Sequence, residues 1–192
     1  MLWFAAGESR PEAHKPWRWI GWVVLPLAWA SFARSEVWLD DYRLWVDAAA
    51  KAPWSGLAHN NLAQANLEHK DVDAAVAEFQ KTLQVGVIDG TDNLAYNNLA
   101  IILSSPQYGK YYDPQMAVRL IEQGIARSPR FEDAFTLRYN LANVLSQMKV
   151  YPRALQIIRE LERDLGHSAN QRYAFLLERA RELRALLEKV AP

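Results

Sequence analysis

Asn61-Leu62-Ala63, Asn98-Leu99-Ala100 and Asn140-Leu141-Ala142 are three copies of one tripeptide, spaced roughly 40 residues apart. A second apolar segment follows each copy and contains an alanine: Ala75, Ala117 and Ala154. Repetition at this period is typical of arrays in which each repeat is a pair of helices. A leucine next to a small residue suits a helix face that packs closely against a neighbouring helix. The sequence therefore predicts an all-α fold built from helix pairs.

The composition excludes several classes of function. The 192 residues contain 22 basic and 22 acidic side chains, so the formal charge is zero at pH 7. A nucleic-acid-binding protein generally needs a clustered basic surface, and we therefore expect no nucleic-acid partner. There is no cysteine, which excludes disulfides and thiolate metal sites. The length fits one domain with an appendage.

The first 34 residues differ from the rest of the chain. Six of the eight tryptophans precede position 39, and an uncharged run extends from Trp19 to Ala33 before Arg34. Tryptophans near both ends and flanking arginines can anchor such a run in a bilayer. We predict that residues 1–34 form a membrane anchor, in which residues 17–34 are a Trp-rich transmembrane helix.

Two other interpretations of this run remain open. Ala28-Trp29-Ala30 resembles a signal-peptide cleavage motif, and a Trp-rich helix can also be buried in a protein core. The uncharged run is short for a membrane span, at about 22 Å of helix. Arg10, Lys15 and Arg18 precede it, so the positive-inside rule puts the N-terminal side in the cytoplasm. The expected location is a membrane, the bacterial inner membrane in particular, with the repeats in the periplasm.

Residues 35–192 carry the repeat pattern. We predict a half repeat at about 38–53, helix pairs at about 55–87, 92–129 and 131–165, and a capping helix at 168–190. Asp71 and Asp113 are the predicted N-caps of two second helices. The segment from Ser104 to Tyr112 is predicted to be an irregular insert. The last helix is predicted to present a charged outer face, as the end of a repeat array requires.

These positions resemble the tetratricopeptide repeat, in which a leucine and a small residue of the first helix are followed by an alanine and a bulky residue of the second. The matching residues are Leu62-Ala63, Ala75 and Phe79; Leu99-Ala100, Ala117 and Ile121; and Leu141-Ala142, Ala154 and Ile158. Lys70 and Lys149 depart from the pattern, because a small residue is customary between the two helices. The resemblance implies a short right-handed α-solenoid whose first helices line a concave, peptide-binding surface.

A second resemblance concerns the entry to the array. Trp45, Pro53 and the run His59-Asn60-Asn61-Leu62 resemble the corresponding segment of polytopic membrane proteins with C-terminal tetratricopeptide repeats. Among these are the protein O-mannosyltransferase-like glycosyltransferases. The resemblance implies that the chain is an accessory C-terminal domain of a multi-pass glycosyltransferase, although no catalytic segment of such an enzyme is present in the sequence.

The asparagines carry the functional prediction. A carboxamide offers both a donor and an acceptor, which match the C=O and N–H groups of an extended peptide. The pattern is similar to the asparagine ladder in the repeat domain of O-GlcNAc transferase, which is associated with gripping peptide backbone. The predicted peptide-binding residues are Asn60, Asn61, Gln64, Asn97, Asn98, Ile101, Tyr139, Asn140 and Asn143. The alternative is that these asparagines bridge adjacent helices inside the array.

Other chemistry finds no support in the sequence. No glycine-rich phosphate loop occurs, and the four histidines lack the spacing of a metal site. We therefore predict no catalytic residue, no metal and no cofactor. Chaperone-tail binding is not expected, because repeats of that type resemble sets with several lysines and arginines on the first helices, whereas Arg138 is the only base near these asparagines.

The leading prediction is a membrane-anchored, non-enzymatic scaffold that binds a protein or an extended peptide segment in the concave groove. The scaffold would belong to a larger membrane or envelope assembly. The accessory domain of a glycosyltransferase is the alternative, and a periplasmic assembly factor for pili or cytochromes is a further one.

Overall fold

The computed structural model describes residues 17–35, 40–86, 91–128, 134–167 and 171–190. Within these ranges the regular secondary structure is helical throughout, with no strand. The helices are α1 (Trp17–Ser35), α2 (Asp41–Lys51), α3 (Gly56–Glu68), α4 (Val72–Val85), α5 (Asp92–Ser104), α6 (Pro114–Arg127), α7 (Phe135–Gln147), α8 (Tyr151–His167) and α9 (Ala174–Val190). Short 3-10 helices occupy Pro106–Tyr111 and Gln171–Tyr173.

The chain divides into two units, residues 1–44 and residues 45–192. In the first unit, α1 has 19 residues with Pro26 in its interior, and large apolar side chains lie exposed along it. Trp22, for example, is 79 % exposed. Within the described ranges, no helix combines the length with the apolar content that crossing a bilayer requires.

The second unit is built from helices that pack against their neighbours in sequence. The pairs α3–α4, α5–α6 and α7–α8 pack most extensively, and α9 packs on α8 in the same manner. The first helices of successive pairs also touch, since α3 contacts α5, α5 contacts α7, and α7 contacts α9. The predicted all-α fold of sequence-adjacent helix pairs is confirmed.

Small residues allow the two helices of each pair to approach closely. Ala63 of α3 and Ala75 of α4 are fully buried in one core cluster. The equivalent alanines of the next two pairs, Ala100 with Ala117 and Ala142 with Ala154, are buried in a second cluster. A larger side chain at these positions would overpack the helix interface and cost about 1–3 kcal/mol.

Side-chain caps fix where the second helices begin. Asp71 Oδ1 accepts a hydrogen bond from the backbone N–H of Ala74 at 3.0 Å, and Asp113 Oδ1 accepts one from Met116 at 2.8 Å. Each carboxylate satisfies a backbone donor that the first turn of a helix leaves without a partner. Both predicted N-caps are confirmed.

The segment predicted as an irregular insert is more ordered than expected. Helix α5 extends to Ser104, and Pro106–Tyr111 forms two short 3-10 turns that are separated by a kink at Gly109, where φ is 51°. Asp73 of α4 accepts hydrogen bonds from Lys110 Nζ at 2.7 Å and from Tyr111 Oη at 2.6 Å. These two donors hold the pKa of Asp73 below its usual range. The sequence missed this contact because its partners are far apart along the chain.

Two lysines stand where the tetratricopeptide pattern customarily has a small residue. The backbone at both positions has a positive φ, a conformation that favours glycine. Lys70, between α3 and α4, has φ 63°, and Lys149, between α7 and α8, has φ 61°. A left-handed residue closes the end of the first helix, because the backbone N–H groups that follow it reach back to the last carbonyls. Glycine adopts this conformation without steric cost, whereas lysine does not.

The last helix departs in part from its predicted surface. Ala180, Leu183 and Leu187 are buried against α8, as the apolar pattern indicates. The predicted charged outer face is exposed at Glu178, Arg181, Glu182 and Glu188. Leu186, Val190 and Phe175, which were not expected on the surface, are exposed as well, the last of them by 68 %. The predicted start of this helix at Ser168 lies outside the described residues.

Candidate functional site

The nine predicted site residues fall on the first helices of the three pairs. Asn60, Asn61 and Gln64 lie on α3; Asn97, Asn98 and Ile101 lie on α5; and Tyr139, Asn140 and Asn143 lie on α7. Because α3 contacts α5 and α5 contacts α7, the nine residues lie on three adjacent helices of the second unit, and we call this set of residues the row.

Five asparagines of this row form one continuous chain of hydrogen bonds, which we call the amide chain. Asn140 Nδ2 donates to Asn97 Oδ1, and Asn97 Nδ2 donates to Asn98 Oδ1 at 3.5 Å. Asn98 Nδ2 donates in turn to Asn60 Oδ1 at 3.0 Å, and Asn60 Nδ2 to Asn61 Oδ1 at 3.3 Å. Every amide except those at the two ends both accepts and donates. All four bonds run in the same direction, from α7 through α5 to α3.

The amide chain links α3, α5 and α7 to one another through hydrogen bonds between their side chains. Asn60 is only 2 % exposed, so its carboxamide lies beneath the surface and is available to Asn98 and Asn61 rather than to a ligand. A buried amide without a partner would cost about 1–3 kcal/mol, and the chain removes that cost. Bridging between helices, which the sequence left open as the alternative, is therefore present in the structure at the α3–α5 and α5–α7 contacts.

Several groups of the row remain available to a ligand. At the ends of the amide chain, Asn61 Nδ2 and Asn140 Oδ1 have no hydrogen-bond partner within the described part of the chain. Gln64 and Ile101 are exposed beside them. The sequence missed two further apolar residues, Leu57 and Leu94, which are also exposed. Their position one helical turn before Asn61 and Asn98 is the signal that places them on the same face.

The row continues onto α9 with different chemistry. Tyr139 occupies the position in α7 that Asn60 and Asn97 occupy in their helices, and it accepts a hydrogen bond from Arg179 Nε at 3.2 Å. The Arg179 guanidinium carbon also lies 5.5 Å from the centre of the Tyr139 ring and 5.6 Å from that of Phe175. Arg179 therefore donates to Tyr139 from the next helix, in the same way that Asn98 donates to Asn60.

This arrangement corrects the prediction that Arg138 is the base beside the asparagines. Arg138 is buried, and its Nη1 donates to Asp164 Oδ2 at 2.9 Å on α8. Its charge is therefore matched inside the α7–α8 pair. The base on the exposed row is Arg179, which lies 39 residues after Asn140 in the sequence and reaches the row only through the packing of α9 on α7.

His59 belongs to the core of the first pair. The ring is buried, with Nδ1 at 2.7 Å from Glu78 Oε2 and Nε2 at 3.1 Å from the carbonyl oxygen of Pro53. Both ring nitrogens therefore face oxygen atoms of neighbouring residues, which fixes the orientation of the ring. Among the residues that the structure describes, no three histidine, aspartate or glutamate side chains are grouped closely enough to hold a metal ion.

Comparison with protein-family models, with curated proteins and with solved structures gives no match for this chain. The tetratricopeptide resemblance therefore rests on the residues quoted above alone.

Proposed function

We propose that the chain is a membrane-anchored, non-enzymatic scaffold of the tetratricopeptide type. In this proposal the helix pairs form a short right-handed α-solenoid, and the row on α3, α5 and α7 binds an extended segment of a partner protein. The observation that carries the proposal is the free amide group at each end of the amide chain, Asn61 Nδ2 and Asn140 Oδ1, together with exposed apolar side chains on the same helices.

The chemistry of the row suits an extended peptide. The free Asn61 N–H donor complements a peptide carbonyl, and the free Asn140 oxygen complements a peptide N–H. Leu57, Leu94 and Ile101 offer apolar contacts to alternate side chains of the same segment. Each net hydrogen bond contributes only about 0.5–1.5 kcal/mol, so useful affinity requires the apolar contacts as well.

Site-directed photo-crosslinking tests the binding face. A photoreactive amino acid replaces Ile101, which is 44 % exposed on the row, or Met116, which is 43 % exposed on α6 away from it. We expect a crosslinked protein partner from Ile101 in native membranes and none from Met116. Equal crosslinking from both positions, or none from Ile101, would contradict the proposal, since the two side chains are matched in exposure and differ in face.

Attachment to the membrane through residues 17–34 is the second part of the proposal. Leu25, Trp29 and Phe32 are exposed along α1, as is Trp22, and a helix that is apolar on all sides is stable in water only when it is covered. We propose that lipid covers it and that the repeats lie in the periplasm. Alkaline extraction of membranes should leave the intact chain in the pellet and should release a variant with Trp22, Leu25 and Trp29 changed to Asp. Release of the unaltered chain would contradict the anchor.

A further inference from the structure

Arg179 differs from the other arginines around it. In the described parts of α8 and α9, the side chains of Arg153, Arg159, Arg163, Arg181 and Arg184 each lie within ion-pair distance of a carboxylate. Arg179 is exposed, and no carboxylate of the described residues lies within 4.0 Å of it, including Glu178 and Glu182 on its own helix. Its charge is therefore unmatched within this part of the protein.

The Arg179 side chain is nevertheless held in place. The Tyr139 and Phe175 rings both lie within cation–π distance of the guanidinium, and Tyr139 Oη fixes its Nε. We call these three residues the arginine stack. Because Nε is occupied, the two terminal nitrogens are the ones left to bind a ligand, and a guanidinium held in this way loses less conformational freedom when it binds.

The position of the arginine stack connects it to the proposed peptide-binding row. Tyr139 directly precedes Asn140, the first donor of the amide chain, and Arg179 occupies the next donor position after Asn140 along the row. The asparagines supply neutral groups that suit peptide amides, whereas Arg179 supplies a fixed positive charge. A guanidinium binds a carboxylate with two parallel hydrogen bonds, which is the geometry that its terminal nitrogens favour.

We propose that Arg179 is a carboxylate-binding subsite at the α9 end of the row, and that the segment bound there carries a carboxylate beside its extended backbone. The carboxylate comes from an aspartate or glutamate side chain or from the carboxyl terminus of the partner. This inference rests on the proposed function, because it specifies the chemistry of the segment that the row binds.

The test uses the full-length chain in mild detergent and arrays of short randomised peptides. One array ends in free carboxyl groups and the other in amides, and each contains peptides with and without internal acidic residues. We expect the bound peptides to be enriched in carboxylates and their affinity to fall about tenfold or more in Arg179→Gln, with the affinity of neutral peptides unchanged. Arg179→Lys should lose less, since it keeps the charge but not the paired donors.

Arg119→Gln is the matched control, because Arg119 is also exposed and without a carboxylate partner in the described residues but lies on α6. An equal loss in Arg119→Gln, or an equal loss for neutral peptides in Arg179→Gln, would overturn the carboxylate subsite while leaving peptide binding intact. Binding of no peptide of either class would overturn the proposed function as well. The array that retains the Arg179 dependence shows whether the carboxylate is terminal or internal.

Discussion

In both the α3–α5–α7 row and the α8–α9 pair, polar side chains link neighbouring helices, but the chemical groups differ. In the row, neutral carboxamides pair with one another beneath a partly apolar surface, and one of them is almost completely buried. Between α8 and α9, arginines pair with Glu162 and Glu188, as in the exposed 2.8 Å contact of Arg159 Nη2 with Glu188 Oε1. Buried neutral amides depend strongly on their partners, whereas water substitutes readily for an exposed ion pair. The two regions should therefore respond differently to the loss of one partner.

The largest effect is expected when the amide chain is broken in its middle. Asn98→Ala leaves the buried Asn60 oxygen and the Asn97 amide without their partners, so the free energy of unfolding should fall by about 2–3 kcal/mol in urea denaturation. Asn143→Ala is the control on the same face, because its Nδ2 only reaches back to the carbonyl of Tyr139 in its own helix. Equal losses in the two variants would show that the amide chain contributes nothing beyond helix propensity.

Replacing the left-handed lysines should give a gain of intermediate size. Lys70→Gly in the first pair and Lys149→Gly in the third relieve the same positive φ, so each should stabilise the protein by about 1 kcal/mol. Lys70→Ala keeps a Cβ at that position and should give no such gain. Thermal unfolding followed by circular dichroism measures all three. A gain in only one of the two glycine variants would show that the turn at Lys70 and the turn at Lys149 differ in backbone strain.

A smaller effect is expected from the ion pairs of α8 and α9. Arg159→Ala removes the exposed contact to Glu188, and the resulting loss of stability should shrink as salt is added, because added ions screen exposed charges. Asn98→Ala should keep its full effect in the same salt series. A loss in Arg159→Ala that is independent of salt would mean that this ion pair behaves like the amide chain.

The smallest effect depends on pH. The hydrogen bond from Arg159, together with Arg184, lowers the pKa of Glu188 below its usual range. The stabilisation by Glu188 is therefore present at neutral pH, above the usual carboxyl range, and is lost as the pH falls through the lowered pKa. Glu188→Gln should melt below the unaltered protein at neutral pH and approach it in acid. Glu182→Gln, whose carboxylate has no ion-pair partner in the described residues, should show no such convergence.

Local signals in the sequence predicted much of this architecture. The caps at Asp71 and Asp113 and the buried alanines depend on neighbours in sequence or on a repeated period, and both kinds of signal are visible without coordinates. The same period placed the asparagines in one row. It did not show that the amides pair with one another, because that depends on the distance between adjacent first helices.

The errors arose where contacts join distant helices. Arg138 and Tyr139 are neighbours in sequence but face different ways on α7, the first towards Asp164 and the second towards Arg179. Helical spacing separates these two directions, yet only the packing of α8 and α9 shows what each one meets. The hydrogen bonds from Lys110 and Tyr111 to Asp73 were missed because they too join residues that are far apart in the sequence.

The amide chain also has a direction, because each hydrogen bond is donated towards α3. The Asn97-Asn98 dipeptide of α5 takes in one hydrogen bond from α7 and passes one on to α3, so it works as a link with a head and a tail. A further helix pair inserted beside it would extend the series without disturbing its members, provided that it carried the same dipeptide. On α7, Tyr139 stands where the other two first helices have the first asparagine of the dipeptide, so the series of amides begins at Asn140. The direction of the amide chain is therefore set locally, by which of the two asparagines in each dipeptide accepts a hydrogen bond from the neighbouring helix and which one donates to the next.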